Sequence, residues 1–269
     1  MARTSSTKTH AARRCALVTG ASTGIGAAFA RRLAADHYDL IIVARGRERL
    51  DELASELRTQ HGGDVEVLPA DLTDSAELRV VEKVVADAKF DLLVNNAGFG
   101  TVGTFAELDV AKEEEEIRLN VVALMRLTRA ALPGMLARRR GGIINVSSMA
   151  AFQPAPFNAT YAATKAFVNS FTEALHEELR GSGVTVQALC PGFTRTEFQE
   201  RAGVNVSGLP SFAWMAADAV VDASLAALRG GQLICIPGLG NRAVMTLTSA
   251  LPRSLTRRVA GTLGRRLAQ

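Results

Sequence analysis

Aromatic residues are scarce: they make up 5% of the 269-residue chain, with one tryptophan and two tyrosines, so each is a candidate for a specific task. There are only three cysteines (Cys15, Cys190 and Cys235), far apart and in apolar runs. That excludes a disulfide framework and a thiolate metal site, and predicts buried core thiols in a reducing compartment. The four histidines show no metal-ligand spacing. His37 and His61 are expected in loops and His176 on an exposed helix face, so no metal is predicted. No uninterrupted apolar run reaches the roughly 18 residues of a membrane-spanning helix. The first residues lack the apolar stretch of a secretory signal. A cytoplasmic location is expected.

Acid is absent from both ends. Residues 1–14 hold Arg3, Lys8, Arg13 and Arg14, and residues 240–269 hold Arg242, Arg253, Arg257, Arg258, Arg265 and Arg266, with no Asp or Glu in either segment. Setting those ten aside from 31 basic residues leaves 21 against 27 acidic ones, a body of about −6 despite the formal +4 of the whole. A nucleic-acid-binding body would carry its own basic stripe, so none is expected.

What is present is ample apolar material, 48% hydrophobic against 22% charged residues. Short apolar, β-branched runs occur at Ala16–Val18, Leu40–Ala44, Val65–Pro69, Leu92–Asn95, Gly142–Val146, Val184–Leu189 and Leu233–Ile236. They read as strands buried on both faces. Helical patterns lie between them at Ile25–Ala35, Arg47–Arg58, Ser75–Asp87, Lys112–Ala137, Ala159–Gly181 and Ala217–Leu228. The alternation predicts an α/β fold: a single-domain, Rossmann-type, doubly wound seven-stranded parallel sheet with helices on both faces. The domain is expected over residues 15–239, with a disordered basic tail over 1–14. A substrate lid is expected near 195–215, a connection too long and aperiodic for an ordinary loop. A basic amphipathic extension is expected over 240–269.

Two patterns carry chemistry. Gly20, Gly24 and Gly26 follow the first strand and open a helix. Such a turn lets backbone approach a pyrophosphate, which the helix N-terminus attracts. Tyr161 and Lys165 are four apart on a predicted helix and so share a face. A nearby ammonium is expected to lower the phenol's pKa from its usual value of roughly 10, fitting it for proton exchange with an alcohol or carbonyl oxygen. A proton donor together with a dinucleotide site implies hydride transfer.

These motifs, with Asp71-Leu72, Asn95-Asn96-Ala97-Gly98, Asn120, Ser148 and Pro191-Gly192 in order, resemble those of the common short-chain dehydrogenase/reductases. The resemblance runs from about Cys15 to Gly238. It implies a catalytic group of Asn120, Ser148, Tyr161 and Lys165. Tyr161 is the acid/base and Ser148 polarises the carbonyl, while Lys165 binds the nicotinamide ribose and Asn120 positions a relay water. Ser147 is expected to support the strand end. The dinucleotide would contact Gly20, Ser22, Thr23, Gly24, Ile25 and Gly26, with Asp71 and Leu72 at the adenine. Asn96, Ala97 and Gly98 would line it, as would Tyr161 and Lys165. Pro191 and Gly192 would pass the carboxamide, and Thr194 or Thr196 would hold the carboxamide or phosphates. Asn95 is expected to be partly structural. Ala44 stands where relatives preferring NAD carry Asp, and Arg45 follows it, which predicts NADP (NADPH). Ser22 adds a hydroxyl there, although Thr23 replaces the basic residue common in NADP-dependent relatives.

Phe152, Phe157, Phe193, Phe198, Leu209, Phe212, Trp214 and Met215 cluster in the segments expected to face substrate. They predict an apolar ketone, aldehyde or secondary alcohol. The helices from Lys112 and Ala159, with small Ala162, Ala163, Ala166 and Ala174, resemble those that pair between subunits in homodimers or homotetramers. The run Glu113–Glu116 is expected to be a solvated helix face. Two alternatives stand beside the reductase reading. One is a redox-inactive NADPH-binding sensor or scaffold. The other is a lipid- or steroid-type reductase whose C-terminal arginines contact a membrane surface.

Overall fold

The computed structural model describes residues 13–203, 210–249, 256, 258 and 260–262. The chain alternates strands and helices: β1 (Arg14–Thr19), α1 (Gly24–Ala35), β2 (Tyr38–Ala44), α2 (Arg47–His61), β3 (Val65–Pro69), α3 (Ser75–Asp87) and β4 (Leu92–Asn95). Then come α4 (Val110–Ile117), α5 (Leu124–Arg138), β5 (Gly141–Val146), α6 (Ala159–Glu178) and β6 (Val184–Leu189). The last elements are α7 (Phe198–Arg201), α8 (Ala217–Arg229), β7 (Ile234–Cys235) and α9 (Leu239–Ser249). The strands form one seven-stranded sheet in the order β3-β2-β1-β4-β5-β6-β7. Every pairing is parallel. The order reverses between β1 and β4, and a crevice outside the carboxyl ends of the strands at that point is where such sheets bind ligands.

The strands are apolar throughout because both faces are covered. Along β1 and β2, Ala16, Val18, Leu40 and Ile42 join a core with α1, α2 and α8, including Phe29, Leu57 and Val221. Leu17, Ile41 and Val43 point the other way, into a core with α3, α5 and α6 that includes Val81, Leu127 and Leu175. Strand bounds β3, β4 and β6 coincide with the sequence expectation, whereas β1 extends to Arg14 and Thr19 and β7 shortens to two residues.

Four expectations are corrected here. The helix expected over Lys112–Ala137 is two helices joined by a π-helical stretch, Arg118–Ala123, which carries Asn120. Glu113 and Glu116 are not solvated: they are 6% and 0% exposed, whereas Glu114 is exposed. His61 ends α2 instead of lying in a loop. Cys15 is only partly buried. The expected lid contains α7 and a short turn at Ser211–Ala213, and residues 204–209, with Leu209, lie outside the described residues. So do most of the basic N-terminal segment and much of 250–269. Among the described residues no helix is long and apolar enough to cross a membrane, and no cluster of metal-ligating side chains occurs.

Candidate active site

The turn after β1 is held from behind by the turn after β4. Asn96 Nδ2 donates to the carbonyls of Thr19 (2.9 Å) and Gly20 (3.2 Å). The backbone amides of Asn96 and Ala97 both donate to Thr19 Oγ1 at 3.0 Å. This clamp leaves no space for a side chain inside the turn. A Cβ on Gly26 would stand 2.2 Å from Gly20 O, and Gly20 itself has φ +64°. Glycine tolerates both demands. At the start of α1, Thr23 makes no side-chain cap and the first turn has no acid. Its amides are therefore open to an anion, and the dipole favours one. Thr196 closes the turn from the lid side, with its Cβ 3.1 Å from where a Cβ on Gly24 would lie. Thr194, by contrast, is buried and donates to Gly192 O at 3.1 Å. The residues present fit a dinucleotide pyrophosphate, with Thr196 better placed than Thr194 at the turn.

Arg45 leaves the end of β2 and is 67% exposed, with its guanidinium 3.8 Å from Glu115 and 4.0 Å from Asp71. Asp71 Oδ1 accepts from Thr73 N and Oγ1 (2.9 and 2.7 Å), while Leu72 is buried in the core. A polar recess of about 270 Å³ opens beside Ser22 and Thr23 and is also lined by Arg31, Arg49 and Glu197. Arg49 pairs with Glu197 of the lid at 3.0 Å. Sequence reading missed Arg49, whose place four residues after Arg45, in the first turn of α2, was the available signal.

The second half of the site is built on α6. Lys165 is 4% exposed, and its Nζ donates to Val146 O at 2.8 Å. Ser147, rather than facing the cleft, donates its hydroxyl to Lys165 O at 3.1 Å and so ties β5 to α6. Ser148 begins the turn Met149–Phe152, and its Oγ accepts from Ala150 N at 3.1 Å. Asn95 is structural: its Nδ2 donates to Asn145 Oδ1 (2.9 Å) and Thr128 Oγ1 (3.0 Å).

Residues 98–101 thread between these groups. A Cβ on Gly98 would meet Asn120 Oδ1 at 2.8 Å and Lys165 Nζ at 3.4 Å, and one on Gly100 would meet the Tyr161 ring at 2.9 Å. Asn120 grips Phe99 between them: Nδ2 donates to Phe99 O at 2.8 Å and Oδ1 accepts from Phe99 N at 3.1 Å. Nδ2 also donates to Thr164 Oγ1 at 3.1 Å. Loop 98–101, Tyr161 and Lys165 therefore form one packed unit.

Burial governs the electrostatics. Desolvation pushes the Tyr161 phenol up to about 12, opposed by a hydrogen bond with Ser148 and reinforced by the charge of Glu116. Burial pushes the Lys165 ammonium down to about 8, against the attraction of Glu116. The expectation that Lys165 lowers the phenol's pKa is thus corrected. Nζ lies 5.6 Å from the ring centroid and is directed to Val146 O. Phe198 approaches the Tyr161 ring at 5.5 Å between centroids, while Phe193 stacks at a tilt on Trp214 and Phe212 is exposed.

The profile of the short chain dehydrogenase family matches residues 14–206. The chain belongs to that family and is an oxidoreductase of it. It is 40% identical over 203 residues, 74% of either chain, to the putative ketoacyl reductase 1 of the granaticin polyketide synthase from Streptomyces violaceoruber. It is 35% identical over 179 residues to the ketoacyl reductase HetN of Nostoc sp., matching 66% of this chain and spanning 62% of HetN's length. A short-chain dehydrogenase from Sphingobium yanoikuyae, solved in complex with NADPH, superposes with a TM-score of 0.80 at 39% identity, covering 89% of this chain and 97% of that one.

Proposed function

We propose that the protein uses NADPH to reduce the carbonyl of a small apolar, acyl-derived substrate, with Tyr161 as proton donor. The observation that carries this reading is the packed unit of Tyr161, Lys165, Asn120 and loop 98–101 at the carboxyl ends of the strands, beside the open N-terminus of α1. A bound reduced nicotinamide supplies the hydride. Ser148 hydrogen-bonds the carbonyl oxygen and polarises it. The Tyr161 phenol, held protonated at neutral pH, donates Oη–H to that oxygen as the carbonyl carbon is reduced. Lys165 and Asn120 hold the tyrosine's surroundings in place. Pro191, Gly192 and Thr196 line the nicotinamide and phosphate end.

NADPH rather than NADH is supported by the absence of acid at Ala44, by the cation Arg45 that follows it, by Arg49 in the recess beside Ser22, and by the NADPH-bound neighbour. An acyl-derived substrate is supported by Phe198 over Tyr161 and by the relatives named ketoacyl reductases. Fluorescence titration with NADPH and NADH, followed by NADPH oxidation with ethyl acetoacetate, tests both parts. Binding NADH more tightly would overturn the cofactor assignment. In assembly, Ile117, Met125 and Phe167 expose apolar surface along α4 to α6, which supports a homodimer or homotetramer through those helices. Ala162, one of the small residues expected there, is buried within the subunit.

A second reading, contact with an anionic membrane surface, is favoured by α9. Leu239, Val244 and Leu247 of this helix are 82%, 49% and 68% exposed, and residues 239–269 carry arginines without a single acid. Such a face suits an anionic lipid interface.

A further inference from the structure

The acidic run on α4 contains two buried carboxyls that the reaction above does not use. Glu113 and Glu116 meet at Thr101, the last residue of the loop that crosses the Tyr161 ring. Thr101 Oγ1 lies 2.5 Å from Glu113 Oε1 and 2.9 Å from Glu116 Oε2. The Thr101 amide also donates to Glu116 Oε2 at 2.9 Å. Thr160, next to Tyr161, donates its hydroxyl to Glu113 Oε2. Asn158 Nδ2 donates to Thr101 O at 2.5 Å. Glu116 Oε1 is buried with no hydrogen-bond partner.

Proton counting decides what this cluster is. A threonine hydroxyl has one proton to donate, and an ionised carboxylate has none. Two short contacts from one hydroxyl to two carboxyl oxygens need a second proton between them. Two like charges this close and this buried also disfavour joint ionisation. We propose that Glu113 and Glu116 share a single proton through Thr101, and that Glu116 is a positioning residue that sets the charge of Lys165 beside Tyr161. This rests on the reading of Tyr161 and Lys165 given above.

Glu113, Glu116 and Asn120 follow one another along the helix at spacings of three and four, so they form a stripe on one face. Asn120 grips Phe99 and Glu116 grips Thr101, two residues further along the loop. The charged and titratable groups facing Glu116 are Glu113 on its own helix and Lys165 on α6, and Tyr161 on α6 feels its charge. Desolvation holds the Glu116 carboxyl up at about 7, with its bonds to Thr101 opposing and Glu113 reinforcing the rise. Lys165 is the nearby cation that an ionised Glu116 stabilises. Loss of that charge leaves the ammonium with less support, so it deprotonates at lower pH.

The test joins infrared spectroscopy to a pH profile. At mildly acid pH, where exposed carboxyls are ionised, the wild-type protein should show a protonated-carboxyl C=O band that Glu116→Gln abolishes. In that variant the amide N–H replaces the shared proton, and NADPH affinity should stay within about twofold. The alkaline limb of kcat with ethyl acetoacetate should move down by roughly half a pH unit or more, about a threefold change in proton affinity. Absence of the wild-type band, its persistence in Glu116→Gln, or an unmoved alkaline limb would overturn the proposal. Should that variant not fold, Glu113→Gln should abolish the same band while leaving the alkaline limb in place, because the Glu116 charge that supports Lys165 remains; persistence of the band there would overturn the proposal. Tyr161→Phe run alongside separates the two readings. If it remains active, the assignment of Tyr161 fails; if it is inactive and the limb is unmoved, the shared-proton proposal alone fails.

Discussion

Asn120→Ala measures how much of the site's order one side chain supplies. The substitution removes three hydrogen bonds, two to the backbone of Phe99 and one to Thr164 Oγ1. Thr164 keeps a partner because its hydroxyl donates to Tyr161 O at 2.8 Å. The Phe99 amide and carbonyl are the groups left stranded in a partly buried loop. Each stranded group costs about 1–3 kcal/mol, and access of water at the cleft brings the total toward about 3 kcal/mol. With a urea slope of about 2–3 kcal/mol per M, the unfolding midpoint should fall by roughly 1–1.5 M. The same loop lies against Tyr161 and Lys165, so turnover should fall by more than tenfold in the variant that remains folded. A midpoint shift below about 0.3 M, on the same slope, would refute the claim that Asn120 is the clamp of this loop.

Other perturbations probe the remaining parts. Gly26→Ala places a Cβ 2.2 Å from Gly20 O, so NADPH affinity should drop by at least two orders of magnitude, read by fluorescence titration; near-normal binding would show that the turn is not the dinucleotide cradle. Ala44→Asp with Arg45→Ala should move preference toward NADH, and unchanged selectivity would place the phosphate contact elsewhere, with Arg49 the next residue to replace. Glu116 has its carboxyl raised from 4.5 to about 7 on folding, so its contribution is present below pH 4.5 and lost as pH rises through 7; relative to Glu116→Gln, wild type should lose on the order of 3 kcal/mol across that window in urea titrations. Anionic vesicles should co-sediment the full chain and not a chain lacking residues 240–269; equal sedimentation would remove the membrane reading.

Much of the fold was legible because strands buried on both faces leave unbroken apolar runs, and helices between them leave a wider period. Val65–Pro69, Leu92–Asn95 and Val184–Leu189 match to the residue for that reason. The start of β1 was not legible because Arg14 is exposed, its guanidinium 4.2 Å from the centre of the Tyr38 ring on β2, and Cys15 is only partly buried, so neither reads as part of a strand covered on both faces. Tyr161 and Lys165 were legible as a spaced pair, but the direction of the phenol's shift was not. It depends on burial and on where Nζ points, and no spacing encodes either. The acidic run misled for a related reason. Four consecutive glutamates read as solvated, yet the partners that take two of them inside, Thr101 and Thr160, come from segments distant in sequence. The π-helical stretch at Asn120 likewise has no letter pattern, because every residue in it suits an ordinary helix.

The central claim is that Tyr161 donates the proton while the dinucleotide site works independently of it. Tyr161→Phe should therefore be titrated with NADPH and then assayed with NADPH and ethyl acetoacetate. The account predicts NADPH affinity within about twofold of wild type and turnover lower by three or more orders of magnitude, roughly 4 kcal/mol of lost barrier reduction. Turnover near the wild-type rate with binding intact would contradict it.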